Sequence, residues 1–138
     1  MSAAAQALAD RYAAVWNEPD ADRRRARIAA LWAPDGVHVL HPPEDLRKAA
    51  AELGFDRAVL EARGSEALEV RVRRAYDSFV APGAYRFRAR PDAERLADVV
   101  KFHWEMVGHD DGEVAAVGCE ILVLDHDDRI ARDYQFVE

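Results

Sequence analysis

The last ten residues, with the sequence RIARDYQFVE, alternate like a β-strand and contain two side chains that could move or orient a proton, Asp133 and Gln135. Residues two apart share one face of a strand, so these two side chains are expected side by side. Burial in an apolar pocket raises the pKa of a carboxyl group toward neutral pH, which suits it to general acid–base catalysis. On the outer face of a sheet, Asp133 would instead be a solvated charge.

The alternation of this strand leaves both orientations open. Ile130, Arg132, Tyr134 and Phe136 form the face opposite Asp133. Hydrophobicity alone turns that face toward the core and places Asp133 outside. If a second subunit covers the apolar side chains of that face, Asp133 points inward and becomes the strongest catalytic candidate in the chain.

The composition limits the class of protein. The chain has 138 residues, half of them hydrophobic and a third charged, which predicts one compact domain over residues 1–138. The net charge of -7, from 26 acidic and 19 basic residues, argues against a nucleic-acid partner. Cys119 is the one cysteine, so the chain can form neither an intrachain disulfide nor a cysteine-rich metal site.

The cellular location is predicted from the N-terminus. Residues 2–17 have helical periodicity and lack the charged start and unbroken apolar stretch of a signal peptide. No segment is long enough to predict a membrane span. We therefore expect a cytoplasmic protein without a membrane partner.

The period of the apolar residues changes from helical to strand-like about two thirds of the way along the chain. Helices are predicted over 2–17, about 20–33, 44–53 and 64–81, with a further turn or two within 56–63. Strands are predicted over 37–41, 85–90, 98–107, 114–125 and 129–138. This order predicts an α+β fold in which helices pack on one face of a curved antiparallel sheet and leave a pocket inside.

Five stretches carry a resemblance to a known superfamily. They are RYAAVWNEPD, LWAPDG, VKFHWEMVG, VGCEILVLD and DDRIARDYQFVE. Together they resemble the nuclear transport factor 2-like superfamily, in particular its SnoaL-like, polyketide cyclase-like branch. The resemblance implies a cone-shaped, cystatin-like α+β barrel with the N-terminal helices on the concave face of the sheet.

The same resemblance implies a range of functions. The superfamily includes ketosteroid isomerases, polyketide cyclases, dehydratases, epoxide hydrolases and proteins without catalysis, so the fold does not choose among them. Its enzymes tend to bury an acid–base residue in an apolar cone. This implies a cofactor-independent isomerase, cyclase, dehydratase or hydratase for a small apolar metabolite, with no metal, and a homodimer formed through the outer face of the sheet.

The RDYQF motif is similar to the terminal RDYF motif of limonene epoxide hydrolase-like members. This similarity implies an acid–base role for Asp133, whereas an alignment counted from Ile130 moves the role to Gln135. The other catalytic positions of those enzymes are an arginine and an aspartate on a central strand. Phe102 and Trp104 occupy the inward positions here, so epoxide hydrolysis is excluded.

Other polar residues are weaker candidates. His41 ends a strand beside two prolines and could assist proton transfer from the mouth of the cone. His38 is three residues away and should face the other side, so a metal pair is not expected. Glu120 is either a second pocket acid or an interface group, and His103 and Glu105 are expected on the outer face.

Aromatic side chains are expected in the core, part of which would also form the pocket wall. The candidates for ligand contact are Tyr12, Trp16, Trp32, Tyr76, Phe102 and Trp104. Trp16 and Trp104 are the best candidates for stacking on a flat apolar ligand. Two alternatives to catalysis remain open: a module that binds a metabolite unchanged, and a dimeric interaction domain whose cone is filled by these tryptophans.

Overall fold

The computed structural model describes residues 3–41, 44–54 and 60–138. The helices are α1 (Ala3–Asn17), α2 (Ala21–Leu31), α3 (Glu44–Glu52) and α4 (Gly64–Ala75), and α4 continues into a π-helical turn at Tyr76–Val80. The strands are β1 (Trp32–His41), β2 (Leu60–Arg63), β3 (Tyr85–Ala89), β4 (Glu94–Leu96), β5 (Val99–Gly108), β6 (Val114–Leu124) and β7 (Ile130–Val137). The predicted α+β fold is confirmed.

The strands form one curved, unclosed sheet in the order β2-β1-β7-β6-β5-β3, and the short β4 pairs with β5. Neighbouring strands are antiparallel except β1 and β7, which run parallel. The parallel pair aligns His38 with Asp133 and Leu40 with Gln135. This pairing joins two segments almost a hundred residues apart, and it places a histidine beside the candidate aspartate.

Two local predictions are wrong. Leu60–Arg63, predicted to be helical, is strand β2, which pairs with residues 37–40 of β1; residues 55–59 lie outside the described part of the chain. β1 begins at Trp32 rather than at residue 37, because Trp32 pairs with Ile130. In both places, pairing with a distant strand overrides the local pattern.

The core lies between the sheet and the helices. α1 packs against β3 and α4 against β1, and Asn17 at the end of α1 exchanges two hydrogen bonds with the backbone of Phe87. Phe102 and Leu122 on the concave face of the sheet are fully buried, as is Ile28 of α2. None of the helices in the described part of the chain is long and apolar enough to cross a membrane.

The last strand turns Asp133 inward without help from a second subunit. Asp133 is fully buried, whereas Phe136 on the opposite face is 48% exposed. Ile130 is also fully buried, although simple alternation places it opposite Asp133. The β6–β7 register shifts at this point, so that Ala131 is an extra residue and Ile130 and Asp133 point to the same side.

Candidate functional site

Asp133 lies at the centre of a buried polar cluster. Its Oδ2 accepts a hydrogen bond of 2.6 Å from the hydroxyl of Tyr12, which α1 brings across the sheet. The Nε2 atom of His38 lies 3.8 Å from the same oxygen. Burial is the largest cause that raises the pKa of Tyr12, followed by the charge of Asp133, so the phenol stays a donor.

Glu120 is a second buried acid in this cluster. Its Oε1 accepts a hydrogen bond of 2.8 Å from Trp104 Nε1. Burial, and then the charge of Asp133, raise the pKa of Glu120 well above its ordinary value, which favours the neutral acid. Glu120 Oε2 and Asp133 Oδ1 are the two carboxyl oxygens without a partner among the buried atoms of the described residues. A proton held by Glu120 and donated to Asp133 satisfies both atoms.

His38 is held in one tautomer by its neighbours. Arg71 Nη1 lies 2.8 Å from His38 Nδ1. An arginine can only donate, so Nδ1 accepts and Nε2 carries the proton. His38 Nε2 therefore donates to Gln135 Oε1 at 2.7 Å. Burial is the main cause that lowers the pKa of His38, which favours the neutral ring. Within the described part of the chain, the amide NH₂ of Gln135 donates to no other group.

A cavity of about 410 Å³ opens against this cluster. Its apolar wall is formed by Trp16, Phe79, Phe87, Trp104 and Met106. Its polar wall is formed by Tyr12, His38 and Gln135, and Arg71 and Arg74 of α4 also line it. Asp133 does not line the cavity and lies behind Tyr12 and His38. The size and the mixture of walls are typical of a site for one small molecule.

The structure brings together some of the predicted site residues and not others. Tyr12, Trp16, Trp104 and Gln135 line the cavity, and Asp133 lies directly behind it. Trp32 and Phe102 are fully buried core residues that pack on the ring of Tyr12. Tyr76 lies under the guanidinium of Arg24, at 4.8 Å from the ring centre. None of these last three aromatic residues lines the cavity.

His41 does not contact the cavity. Its ring packs against Phe136 with centroids 6.0 Å apart, and its Nε2 lies 2.8 Å from Arg47 Nη1. The spacing of three places His41 and His38 on opposite faces of β1, as expected. The inward histidine is His38, which the sequence pattern did not single out as a catalytic candidate. The one feature of the local sequence that could have indicated a buried His38 is its position in the apolar segment VHVL.

The cluster also contains atoms that could bind a metal, since potential ligand atoms of His38, Glu120 and Asp133 lie within 4.8 Å of one another. These atoms already have other roles. His38 Nε2 donates to Gln135, Asp133 Oδ2 accepts from Tyr12, and the raised pKa of Glu120 keeps a proton on its carboxyl group. In the described structure these atoms therefore serve hydrogen bonds within the cluster.

Comparisons with known proteins support the fold. No family model and no curated protein sequence matches the chain. A proposed isomerase of the SnoaL-like family from Agrobacterium tumefaciens matches with a TM-score of 0.76 and 24% identity, over 97% of each chain. A proposed polyketide cyclase from Sinorhizobium meliloti has a TM-score of 0.57 and 15% identity, over 94% of this chain and 93% of the other. The predicted fold of the nuclear transport factor 2-like type is thus confirmed.

Glu120 gives a testable dependence of stability on pH. Its folded-state pKa is raised, so the folded chain keeps a proton that the unfolded chain releases above about pH 4. Stability should therefore fall as pH rises, by at most about 1.4 kcal/mol per unit for one proton. We expect Glu120→Gln to flatten this dependence and to be about 1 kcal/mol more stable than the wild type at about pH 8, measured by urea unfolding.

Glu105→Gln is the matched control on the outer face of the sheet. Hydrogen bonds from Arg88 and Arg90 lower the pKa of Glu105, so its contribution is present above the unfolded-state pKa and is lost as pH falls. This variant should lose stability at about pH 8. A Glu120→Gln variant that is less stable than the wild type at that pH would contradict the buried proton.

Proposed function

We propose that the chain is a small cofactor-independent enzyme that uses acid–base catalysis on a small apolar substrate, as isomerases, cyclases, dehydratases and hydratases do. The observation that carries this proposal is the 2.6 Å hydrogen bond from Tyr12, at the wall of an apolar cavity, to the fully buried Asp133. A buried acid connected to a cavity by one hydroxyl group is an arrangement that can transfer protons without water. The isomerase and cyclase assignments of similar structures agree with it.

The hydrogen bonds suggest a role for each residue. A substrate proton moves to Tyr12 Oη while the phenol proton moves to Asp133 Oδ2, so Asp133 acts as the base through Tyr12. The free amide of Gln135 donates to the substrate oxygen on which negative charge develops. His38 is a positioning residue, because its Nε2–H bond fixes which end of the Gln135 amide faces the substrate. The reverse transfer returns the proton at a second carbon or to a leaving hydroxyl.

Proton abstraction can be measured before the natural substrate is identified. The protein is incubated in D₂O with 1-indanone, 4-phenyl-2-butanone or 3-benzoylpropionate, and deuterium next to the carbonyl is followed by mass spectrometry. We expect at least one ketone to exchange about tenfold or more faster than in buffer. Tyr12→Phe should lose this activity, and Tyr134→Phe, on the outer face, should keep it. Exchange at the buffer rate with ketones that calorimetry shows to bind would contradict the proposal.

A second candidate function is a binding module that returns its ligand unchanged. The observation that favours it is that both ring nitrogens of His38 are already hydrogen-bonded and Asp133 has no surface on the cavity. Mass spectrometry of the released ketone distinguishes the two functions: with a binder, the ketone gains deuterium in D₂O no faster than in buffer alone.

We also propose that the outer face of the sheet forms a homodimer. Phe136 is 48% exposed there, beside the ring of His41. Light scattering at micromolar concentration should give twice the chain mass of 15.5 kDa, and Phe136→Glu should shift the protein toward the monomer. A monomeric wild-type protein would contradict the dimer. The cytoplasmic location stays a prediction.

A further inference from the structure

The charged residues at the cavity all have the same sign. Arg71 and Arg74, one helical turn apart on α4, line the cavity, and no aspartate or glutamate among the described residues does so. The chain as a whole carries a net charge of -7. The charge at the cavity is therefore opposite in sign to the net charge of the protein. This is expected of a site that binds an anionic group.

Arg71 is half-buried without an acidic partner. Its Nη1 bonds only neutral acceptors: His38 Nδ1 at 2.8 Å, the His38 carbonyl at 3.1 Å and the Leu60 carbonyl at 3.0 Å. Burial lowers the pKa of Arg71, against the opposing effect of Tyr12 and Asp133, and no carboxylate of the described residues lies within ion-pair distance of it. Its Nε and Nη2 make no hydrogen bond within residues 3–41, 44–54 and 60–138. These two N–H groups form the edge of the guanidinium that fits a carboxylate with two parallel bonds.

Two further donors at the cavity also lack acceptors. Arg74 forms no ion pair in the described part of the chain, whereas the neighbouring Arg73 lies 3.7 Å from Glu69 on the same helix. Trp16 Nε1 is buried and has no hydrogen-bond partner among the described residues. Buried donors are almost always satisfied in native proteins, so the unpaired Trp16 Nε1 indicates a ligand with an acceptor atom, and the two arginines beside it favour an anionic one.

We infer that the substrate or ligand of this cavity is a small apolar molecule that carries a carboxylate. Its carboxylate binds Arg71 and Arg74, and its apolar part packs against Trp16, Phe87 and Trp104. The reacting end of the molecule then lies at Tyr12 and Gln135, and this part of the inference rests on the proposed function. An uncharged ligand of the same shape would leave both guanidinium groups without an ion-pair partner among the described residues, which is why the acid should be preferred.

Isothermal titration calorimetry with 3-benzoylpropionate and its primary amide tests the charge of the ligand directly. The two probes share their shape and their ketone and differ in the carboxylate. We expect the acid to bind about tenfold more tightly than the amide at low salt, and we expect the preference to shrink as salt is added. Arg74→Gln should reduce the preference about threefold, since this side chain is exposed.

Arg73→Gln is the matched control, because Arg73 lies on the same helix but does not line the cavity. It should keep the full preference for the acid. Arg71→Gln should reduce the preference to about threefold or less, with circular dichroism as the check on folding. Equal binding of acid and amide, binding of neither, or an equal loss in the Arg73 and Arg74 variants would overturn the inference. Because binding is measured without turnover, a preserved acid preference with no deuterium exchange would remove the proposed catalysis alone.

Discussion

Asp133→Asn is expected to lower deuterium exchange by about 100-fold or more while the protein still folds and binds ketones. The asparagine carbonyl can accept the hydrogen bond from Tyr12 that Asp133 Oδ2 accepts now, so the position of Tyr12 is kept. An amide cannot accept the proton that Tyr12 must pass on. The loss should therefore fall on the rate of exchange and not on the affinity measured by calorimetry.

Asp92→Asn is the control for this substitution. Asp92 bonds the backbone N–H and the ring of His103 and does not line the cavity. The Asp92→Asn variant should catalyse deuterium exchange into the ketone at the wild-type rate. An Asp133→Asn variant that exchanges as fast as the wild type would remove Asp133 from the mechanism, and one that fails to bind would assign it a structural role instead.

Gly118→Ala is expected to destabilise the protein by about 3 kcal/mol and to weaken ligand binding. A β-carbon at Gly118 would overlap the indole of Trp104 and would come within 2.6 Å of its Nε1. Gly118 and Trp104 pair directly across β5 and β6, so the ring cannot move without leaving the cavity wall. Such a movement would also break the hydrogen bond from Trp104 to Glu120. Urea unfolding measures the loss.

A double-mutant cycle separates this clash from a general effect on the strand. Trp104→Phe provides a smaller ring, so the loss on adding Gly118→Ala should be smaller in that background than in the wild type. A Gly118→Ala protein within about 0.5 kcal/mol of the wild type would show that the space beside Trp104 is not limiting.

The sequence predicts the helices, most of the strands and the inward faces of the regular ones. The alternation in β5 correctly turns Phe102 and Trp104 inward and Lys101, His103 and Glu105 outward. It works there because β5 pairs with β6 without a register shift from Val99 to Met106. Tyr12, Trp16 and Trp104 were predicted at the cavity from regular spacing on one face, which is a local property, whereas Gln135 was predicted there from the family resemblance.

Only the tertiary structure decides how the polar residues meet. His38 reaches Asp133 through the parallel pairing of β1 with β7, and Arg71 reaches His38 from α4. Neither contact has a local signal, because each joins segments that are far apart in the sequence. Ile130 and Asp133 share the buried side only because Ala131 is an extra residue in the register.

For the terminal RDYQF segment, the sequence by itself determined that Asp133 and Gln135 share a face, because side chains in a strand repeat every two residues. The tertiary structure decided that this face is the inner one. It also decided that Asp133 meets Tyr12 and Glu120 in a cluster behind the cavity, while Gln135 lines the cavity itself. Hydrophobicity could not make that choice, since the packing of α1 and a single extra residue in β7 outweigh the apolar character of Tyr134 and Phe136.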